Sequence, residues 1–213
     1  MKAIIVATNH DKLTGGKPTG AYASEIAHPL AVFEACGVSV VFASPAGGDV
    51  PLDGPSEDAD TRRFIDEHCS GTTLQHTAKL AECEIPDLIF FAGGHGAMWD
   101  FPAIGEAPPV ALSNARIRGA VCHGVAVFCG ANGRGMELSC FTDVEERISE
   151  TELEVPFLLE TALLDYGCII RKAAPWRECV TVRGSIVTGQ NPASARRVAF
   201  EMLRLAISVG RAI

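Results

Sequence analysis

Short β-branched and aromatic runs alternate with helix-patterned stretches along the chain, and that alternation leaves few folds open. Lys2–Thr8, Val38–Ala43, Asp87–Ala92 and Gly119–Cys122 read as strands, each a short apolar run ended by polar residues or glycine. Ser24–Ala35 carries apolar residues at helical spacing and stops at Gly37, a C-terminal cap signal. Pro29 within it is expected to kink the helix or to mark its first turn. Strands and helices in alternation give a mostly parallel sheet covered on both faces.

The remaining segments fill in this pattern. Asn9–Gly20, with Gly15, Gly16, Pro18 and Gly20, is a loop, and Ser44–Asp60 is a long turn-rich one. Thr61–Cys69 and Thr73–Glu82 are amphipathic, whereas the stretch holding Pro102, Pro108 and Pro109 has little pattern. Val125–Ala131 reads as a helix fed directly by the fourth strand, and Leu138–Thr142 as a further strand. Val155–Tyr166 is a helix ending at Gly167; Cys168–Arg171, Cys179–Val182 and Ser185–Thr188 are short strands. Asn191-Pro192 opens a last helix to about Val209, with Asn as cap and Pro at the first helical position. No internal repeat, low-complexity tract or linker interrupts the chain, so residues 1–213 are expected to form one domain. The fold class is a three-layer α/β sandwich, flavodoxin-like, with a mostly parallel sheet.

Composition narrows the function. With 47% hydrophobic and 21% charged residues the chain is globular rather than disordered. A net charge of −8 argues against a broad nucleic-acid face. The early apolar run Ala3–Ala7 is five residues long, too short for a signal-peptide core or a membrane span. The mature protein is therefore expected to start near Met1 and to stay in the cytoplasm. Eight cysteines with no C-x-x-C pair suit a chain that needs no disulfides, and most are expected to be small buried apolar groups.

In open parallel sheets ligands sit beyond the carboxyl ends of the strands. The loop before Glu25, the segment from Ser44, Gly93–Gly96 and Cys122-His123-Gly124 all leave those ends. Ala120-Val121-Cys122-His123-Gly124 has the form of a nucleophile elbow: an apolar strand, a nucleophile, one residue, glycine, then an apolar helix. Unpaired N–H groups at the start of that helix favour a thiolate. Residues adjacent in sequence cooperate only at a sharp turn, which an elbow supplies.

Glu25, in the first turn of the first helix, either complements the helix dipole or reaches the Cys122 sulfur as a carboxyl pushed toward its protonated form. Gly93-Gly94-His95-Gly96 is a tight turn whose backbone N–H groups can face a developing oxyanion, with the His123 N–H as second donor. It lacks the Lys-Ser/Thr ending of a phosphate loop, as does Gly15-Gly16-Lys17-Pro18-Thr19-Gly20, and no G-x-G-x-x-G follows the first strand. A histidine base needs an orienting carboxylate, and Asp143, Glu145 and Glu146 are all candidates. A metal site from His95, Cys122, His123 and a carboxylate lacks supporting ligand spacing, so none is assigned.

At these residues the chain resembles the ThiJ/PfpI superfamily, of the class I glutamine amidotransferase-like fold, and within it the heat-shock-chaperone branch of glutathione-independent glyoxalases (glyoxalase III). The resemblance rests on Thr19-Gly20 through Glu25 to His28-Pro29, and on Ala92-Gly93-Gly94-His95-Gly96 with Asp100-Phe101-Pro102. It continues through Ala120–Gly124, Phe141-Thr142-Asp143-Val144-Glu145-Glu146 and Thr188–Ser194. It implies Cys122 as nucleophile with His123 as its partner, Glu25 as the carboxyl at the thiol, and Glu146 as the acid orienting His123. Gly94, with Gly93 and His95, would form the oxyanion and substrate-binding edge. The chain departs from the family pattern between Pro102 and Arg118, where relatives carry a fuller helix, and at Val125, where proline is common.

The implied activity is a cofactor-independent lyase of the D-lactate dehydratase type, converting methylglyoxal or a similar 2-oxoaldehyde to lactate or the matching 2-hydroxy acid. Its implied partners are a small-molecule substrate and a second copy of the chain, with no nucleic acid and no membrane. Two other classes use the same sulfur: a stress-response holdase or cysteine redox sensor, and a small-molecule amidase or deglycase.

Overall fold

The computed structural model describes residues 1–54, 58–130 and 133–210. Strand β1 (Lys2–Val6) leads through a long loop to β2 (Ala21–Tyr22) and α1 (Ala23–Ala35). β3 (Ser39–Ser44) and β4 (Gly48–Asp53) precede α2 (Ala59–His68), β5 (Cys69–Ser70) and β6 (Thr73–Lys79). β7 (Leu88–Phe91), α3 (Ala97–Glu106), α4 (Val110–Asn114) and β8 (Ile117–Val121) lead into a 3-10 segment, Cys122–Phe128. Then come β9 (Glu137–Leu138), α5 (Asp143–Ile148), α6 (Leu159–Asp165), β10 (Ile169–Ile170), β11 (Val180–Arg183), β12 (Ile186–Gly189) and α7 (Ala195–Gly210).

The main sheet runs β11-β12-β8-β7-β1-β3-β6-β4-β2, with β5 beside β6. From β12 through β6 every neighbouring pair is parallel; β11 and β4 pair antiparallel at the two flanks. This is the flavodoxin-like α/β layering read from the alternation. Residues of β1 and β7 alternate between the two faces, as the period of a strand dictates. Ala3, Ile5, Leu88 and Phe90 join Ile26, Leu30 and Phe33 of α1, Phe64 of α2 and Val198 and Met202 of α7. Ile4, Val6, Ile89 and Phe91 face Met98 and Phe101 of α3, Val125–Phe128, and Leu159 and Leu163 of α6. Phe90 and Phe91 are fully buried, each contributing about 1.5–3 kcal/mol of transfer free energy. Because β1 lies between β3 and β7, the connections leave it in opposite directions, and the crevice of the sheet opens there.

Several local expectations are corrected. The Ser44–Asp60 loop contains β4, whose half-exposed place at the flank of the sheet and φ of +75° at Gly47 and Gly48 hide any apolar alternation; its residues 55–57 lie outside the described ones. Thr73–Glu82 is strand β6 followed by one 3-10 turn. Its buried Leu74 and Thr77 stand three apart because His76 adopts φ +60°, which breaks the strand period and imitates a helical one. The proline-rich stretch forms α3, with Pro102 inside it, and α4, with Pro109 at its N-cap. Buried Ala97, Met98, Phe101 and Gly105 supply the helical stripe despite the proline.

The helix expected from Val155 begins at Leu159, since Pro156 disfavours helical backbone at Val155. Of Leu138–Thr142 only Leu138 pairs, with Ile170 of β10. The helix expected at Val125–Ala131 is the 3-10 segment beginning at Cys122 itself, and Ala131 lies outside the described residues. Asn191 precedes one 3-10 turn at Pro192–Ser194 before α7, and its side chain bonds Glu145 rather than capping. No helix among the described residues is long and apolar enough to cross a membrane.

Candidate active site

β8 ends at Val121, and the chain turns so sharply that Cys122 takes φ +56°, a left-handed conformation costing a non-glycine residue on the order of 1–3 kcal/mol. The turn is closed from below: a Cβ on Gly124 would stand 2.4 Å from the Phe91 carbonyl oxygen, so only glycine lets the elbow lie on the sheet. The elbow read from the sequence is thus present, and it places Cys122 and the His123 ring together, with Sγ 3.4 Å from Nδ1.

The other end of the His123 ring is fixed. Nε2 lies 2.7 Å from Glu146 Oε2. Glu146 sits in α5, which starts with a capping box between Thr142 and Glu145, and each of its carboxylate oxygens faces one imidazole. Burial alone would raise the Glu146 carboxyl, but the charge and hydrogen bonds of His123 and then His95 hold it well below the usual carboxylate range. An ionised carboxylate only accepts, so His123 carries its proton on Nε2 and turns the Nδ1 lone pair toward sulfur. Burial, with the charge of His95, lowers the His123 pKa against the pull of Glu146, which keeps the ring neutral and able to take a proton.

His95 does not point at the turn in which it stands. Its Nε2 lies 3.0 Å from Glu146 Oε1 and 3.2 Å from Thr151 Oγ1, while the Thr151 hydroxyl donates to Glu146 Oε1 at 2.5 Å. His95 still lines the cavity above Cys122 together with Gly94. Asp143 and Glu145, the other candidate orienting acids, are engaged elsewhere: Asp143 accepts from Thr161 Oγ1 at 2.6 Å, and Glu145 faces Thr142, Gln190 and Asn191.

On the opposite side of the sulfur stands Glu25, fully buried in the first turn of α1. Gly93 N–H donates to its Oε2 at 2.7 Å. A Cβ on Gly93 would meet that oxygen at 2.5 Å and Cys122 Cβ at 2.8 Å, so Gly93 is the spacer that lets carboxyl and thiol share one pocket. Glu25 Oε1 has no hydrogen-bond partner among the described residues. Burial raises the Glu25 pKa to about 8, against the bonds from Cys122 and Gly93.

The expectation that helical N–H groups leave Cys122 as a ready thiolate is corrected. Burial first, then the charge of Glu25, push the thiol well above its ordinary value, and the N–H groups of His123 and Gly94 oppose this only in part. In a residue only 4% exposed the thiolate loses more hydration than two donors restore. Its proton leaves only when a neighbouring base takes it. All eight cysteines are free thiols. Cys122, Cys129, Cys140 and Cys168 are buried, while Cys36 is exposed and the other three are half-buried, so fewer are core residues than expected.

The cavity over Cys122 measures about 170 Å³ and is walled by Tyr22, Gly94, His95, His123, Phe141, Ser149, Trp176 and Pro192. Tyr22, Ser149, Thr151 and Trp176 went unread in the sequence. Trp176, between β10 and β11, belongs to no periodic pattern; its one signal is a large aromatic in a polar stretch. His95, His123 and Glu146 bring potential metal-ligand atoms within 4.8 Å of one another; as described, these atoms are bonded to each other.

No family model matches the chain. It is 25% identical over 230 residues to Glyoxalase 3 of Candida albicans, covering 95% of this chain and 97% of that protein. It is 26% identical to a glutathione-independent glyoxalase of Saccharomyces cerevisiae, covering 93% of this chain and 94% of that one. Among solved structures, Rapid Encystment Protein 24 KDa of Francisella tularensis superposes with a TM-score of 0.87 at 30% identity, covering 96% of this chain and 98% of that one. A ThiJ/PfpI domain protein of Brachyspira murdochii shares the fold, with a TM-score of 0.63 at 16% identity, covering 97% and 96%. The chain is thus similar over nearly its whole length to proteins named as glyoxalases and shares the fold of a ThiJ/PfpI domain protein. That likeness agrees with a cysteine followed directly by histidine at the elbow.

Proposed function

We propose that the chain is a glutathione-independent glyoxalase that converts methylglyoxal or a similar 2-oxoaldehyde to the 2-hydroxy acid. The observation that carries this reading is the arrangement around one sulfur. A neutral, oriented imidazole lies 3.4 Å from Cys122 on one side, and on the other Gly93 spaces a carboxyl whose pKa is raised to about 8. Full-length similarity to two proteins named as glyoxalases supports the same reading.

Cys122 sulfur bonds to the aldehyde carbon while its proton passes to His123 Nδ1, and the aldehyde oxygen takes up a proton to give a hemithioacetal. The imidazolium formed is stabilised by Glu146 at 2.7 Å. Protonated Glu25 can donate that proton or hydrogen-bond the oxygen, with the Gly94 and His123 N–H groups as further donors. The carbon-bound hydrogen then leaves as a proton to His123 or ionised Glu25 while the ketone oxygen takes up a proton, giving an enediol. Return of a proton to the neighbouring carbon, with loss of the hydroxyl proton on the sulfur-bearing carbon, gives a thioester of the 2-hydroxy acid. Water cleaves the carbon–sulfur bond, releasing the acid and restoring the thiol. One carbon is oxidised and its neighbour reduced, so no external oxidant is consumed. Positioned proton transfer contributes about 10²–10⁴-fold to such a step.

This makes the protein a lyase with Cys122 as nucleophile, His123 as acid/base, Glu146 orienting His123, and Glu25 as proton shuttle. A homodimer is the assembly we propose, from the family resemblance and the commonness of two-fold oligomers; sedimentation gives the answer. Cytoplasmic residence suits eight unpaired cysteines. The test of function is lactate formation from methylglyoxal in buffer free of glutathione, by wild type and Cys122→Ser, with small amides assayed in parallel. Wild-type lactate formation lost in a folded Cys122→Ser supports the reading. Amide hydrolysis without lactate formation, or turnover surviving in Cys122→Ser, overturns it.

A further inference from the structure

The cavity over Cys122, about 170 Å³, holds the volume of about five or six liquid waters and lies well under the roughly 300 Å³ at which pockets for drug-sized ligands begin. Trp176 is the least ordinary of its walls. The residue takes φ +61°, a left-handed conformation rare for a bulky side chain, and it is 45% exposed, so core burial does not account for the strain. Two contacts hold it in place. Its backbone N–H donates to Glu145 Oε1 at 2.8 Å. Its ring meets Phe141 edge-on at 5.5 Å between centroids, and Phe141 in turn lies 4.4 Å from the His123 ring.

Glu145 is built for holding rather than reacting. It is fully buried, and five donors converge on it. Oε2 accepts from Thr142 N–H at 3.0 Å and Thr142 Oγ1 at 2.8 Å. Oε1 accepts from Trp176 N–H, from Gln190 Nε2 at 3.1 Å and from Asn191 Nδ2 at 2.8 Å. The same turn of α5 therefore carries the acid that orients His123 and the acid that fixes the wall of the pocket.

We infer that Trp176 sets the upper size limit of the substituent on the 2-oxoaldehyde, with Glu145 as the positioning residue that holds it over Cys122. The inference rests on the glyoxalase reading for its substrate class, though the wall itself does not. A methyl group fits beside the ring, whereas an aryl or branched substituent must displace it. Because the wall is anchored to α5, the size limit and the alignment of Glu146 are set by one element.

The experiment compares wild type, Trp176→Phe, Trp176→Ala and Glu145→Gln for kcat/KM with phenylglyoxal relative to methylglyoxal. It also compares alkylation of Cys122 by N-phenylmaleimide relative to iodoacetamide, followed by peptide mass spectrometry. We expect both bulky-to-small ratios to rise about tenfold or more in Trp176→Ala, by the size of a pocket-filling group's effect on discrimination, and less in Trp176→Phe. In Glu145→Gln, which keeps the ring but turns an N–H₂ group toward donors, the ratios rise in the same direction. Ratios unchanged within about twofold in Trp176→Ala overturn the inference, and a shift confined to Trp176→Ala overturns the role of Glu145. If wild type turns over neither aldehyde, the glyoxalase reading fails, and the alkylation ratio still decides whether Trp176 is the wall.

Discussion

Glu25→Gln is the substitution whose consequences the structure fixes most closely. The wild-type carboxyl is fully buried, and its pKa rises from 4.5 to about 8 chiefly through that burial. At about 1.4 kcal/mol per pH unit, the buried anion is disfavoured by on the order of 5 kcal/mol. A carboxyl with a raised folded pKa contributes stability that is fully present below its unfolded value of 4.5 and is lost as pH climbs through 8. Between pH 5 and 8 that loss amounts to about 3.5 kcal/mol in wild type and is absent from the glutamine variant.

Urea unfolding of both proteins at several pH values in this range measures the gap directly. Groups shared by the two proteins, the histidines included, cancel in the difference to first order. We expect the stability of the variant relative to wild type to increase by about 3–4 kcal/mol from pH 5 to 8, while glyoxalase turnover falls about 10²–10⁴-fold. A gap that stays level within about 0.5 kcal/mol across this range would refute the claim that the folded protein holds this carboxyl protonated.

Two further substitutions probe the frame of the site. Glu146→Gln leaves His123 without its ionised partner, so turnover should drop about 10²–10⁴-fold. The depressed Glu146 pKa stabilises the fold above its unfolded value of 4.5, a contribution lost as pH falls through the folded value, so the variant, which lacks it, should unfold at a higher pH than wild type when acid unfolding is followed by circular dichroism. Gly93→Ala places a methyl group 2.5 Å from Glu25 Oε2 and 2.8 Å from Cys122 Cβ, both buried and without room to retreat. Overpacking of this kind costs about 1–3 kcal/mol, and calorimetry should show a Tm lower by several degrees; an unchanged Tm with full activity would mean the spacer is not needed.

The parallel core of the sheet was legible because β1, β7 and β8 are largely buried on both faces and read as apolar runs, and because β3, though half-exposed, keeps the apolar run Val40–Ala43. The flank was not. β4 and β6 lie in the half-exposed flank of the sheet, where their register is broken by Gly47, Gly48 and the left-handed His76, so neither the strand nor its period shows. The elbow could be read because its chemistry is local: strand, cysteine, histidine and glycine in one run. The choice among Asp143, Glu145 and Glu146 could not, because it turns on which face of a six-residue helix meets His123, and three acids within four positions cover every face. Trp176 and Thr151 were invisible for a related reason. Each reaches the site from an irregular segment, where no spacing ties a residue to a distant partner.

Rapid-quench mass spectrometry of wild type mixed with methylglyoxal looks directly for the bond on which this account depends. The account predicts an adduct of one methylglyoxal on the peptide carrying Cys122, appearing within the first turnover and missing from Cys122→Ser. Steady lactate production with that peptide unmodified throughout, or with the adduct on the exposed Cys36 instead, would contradict it.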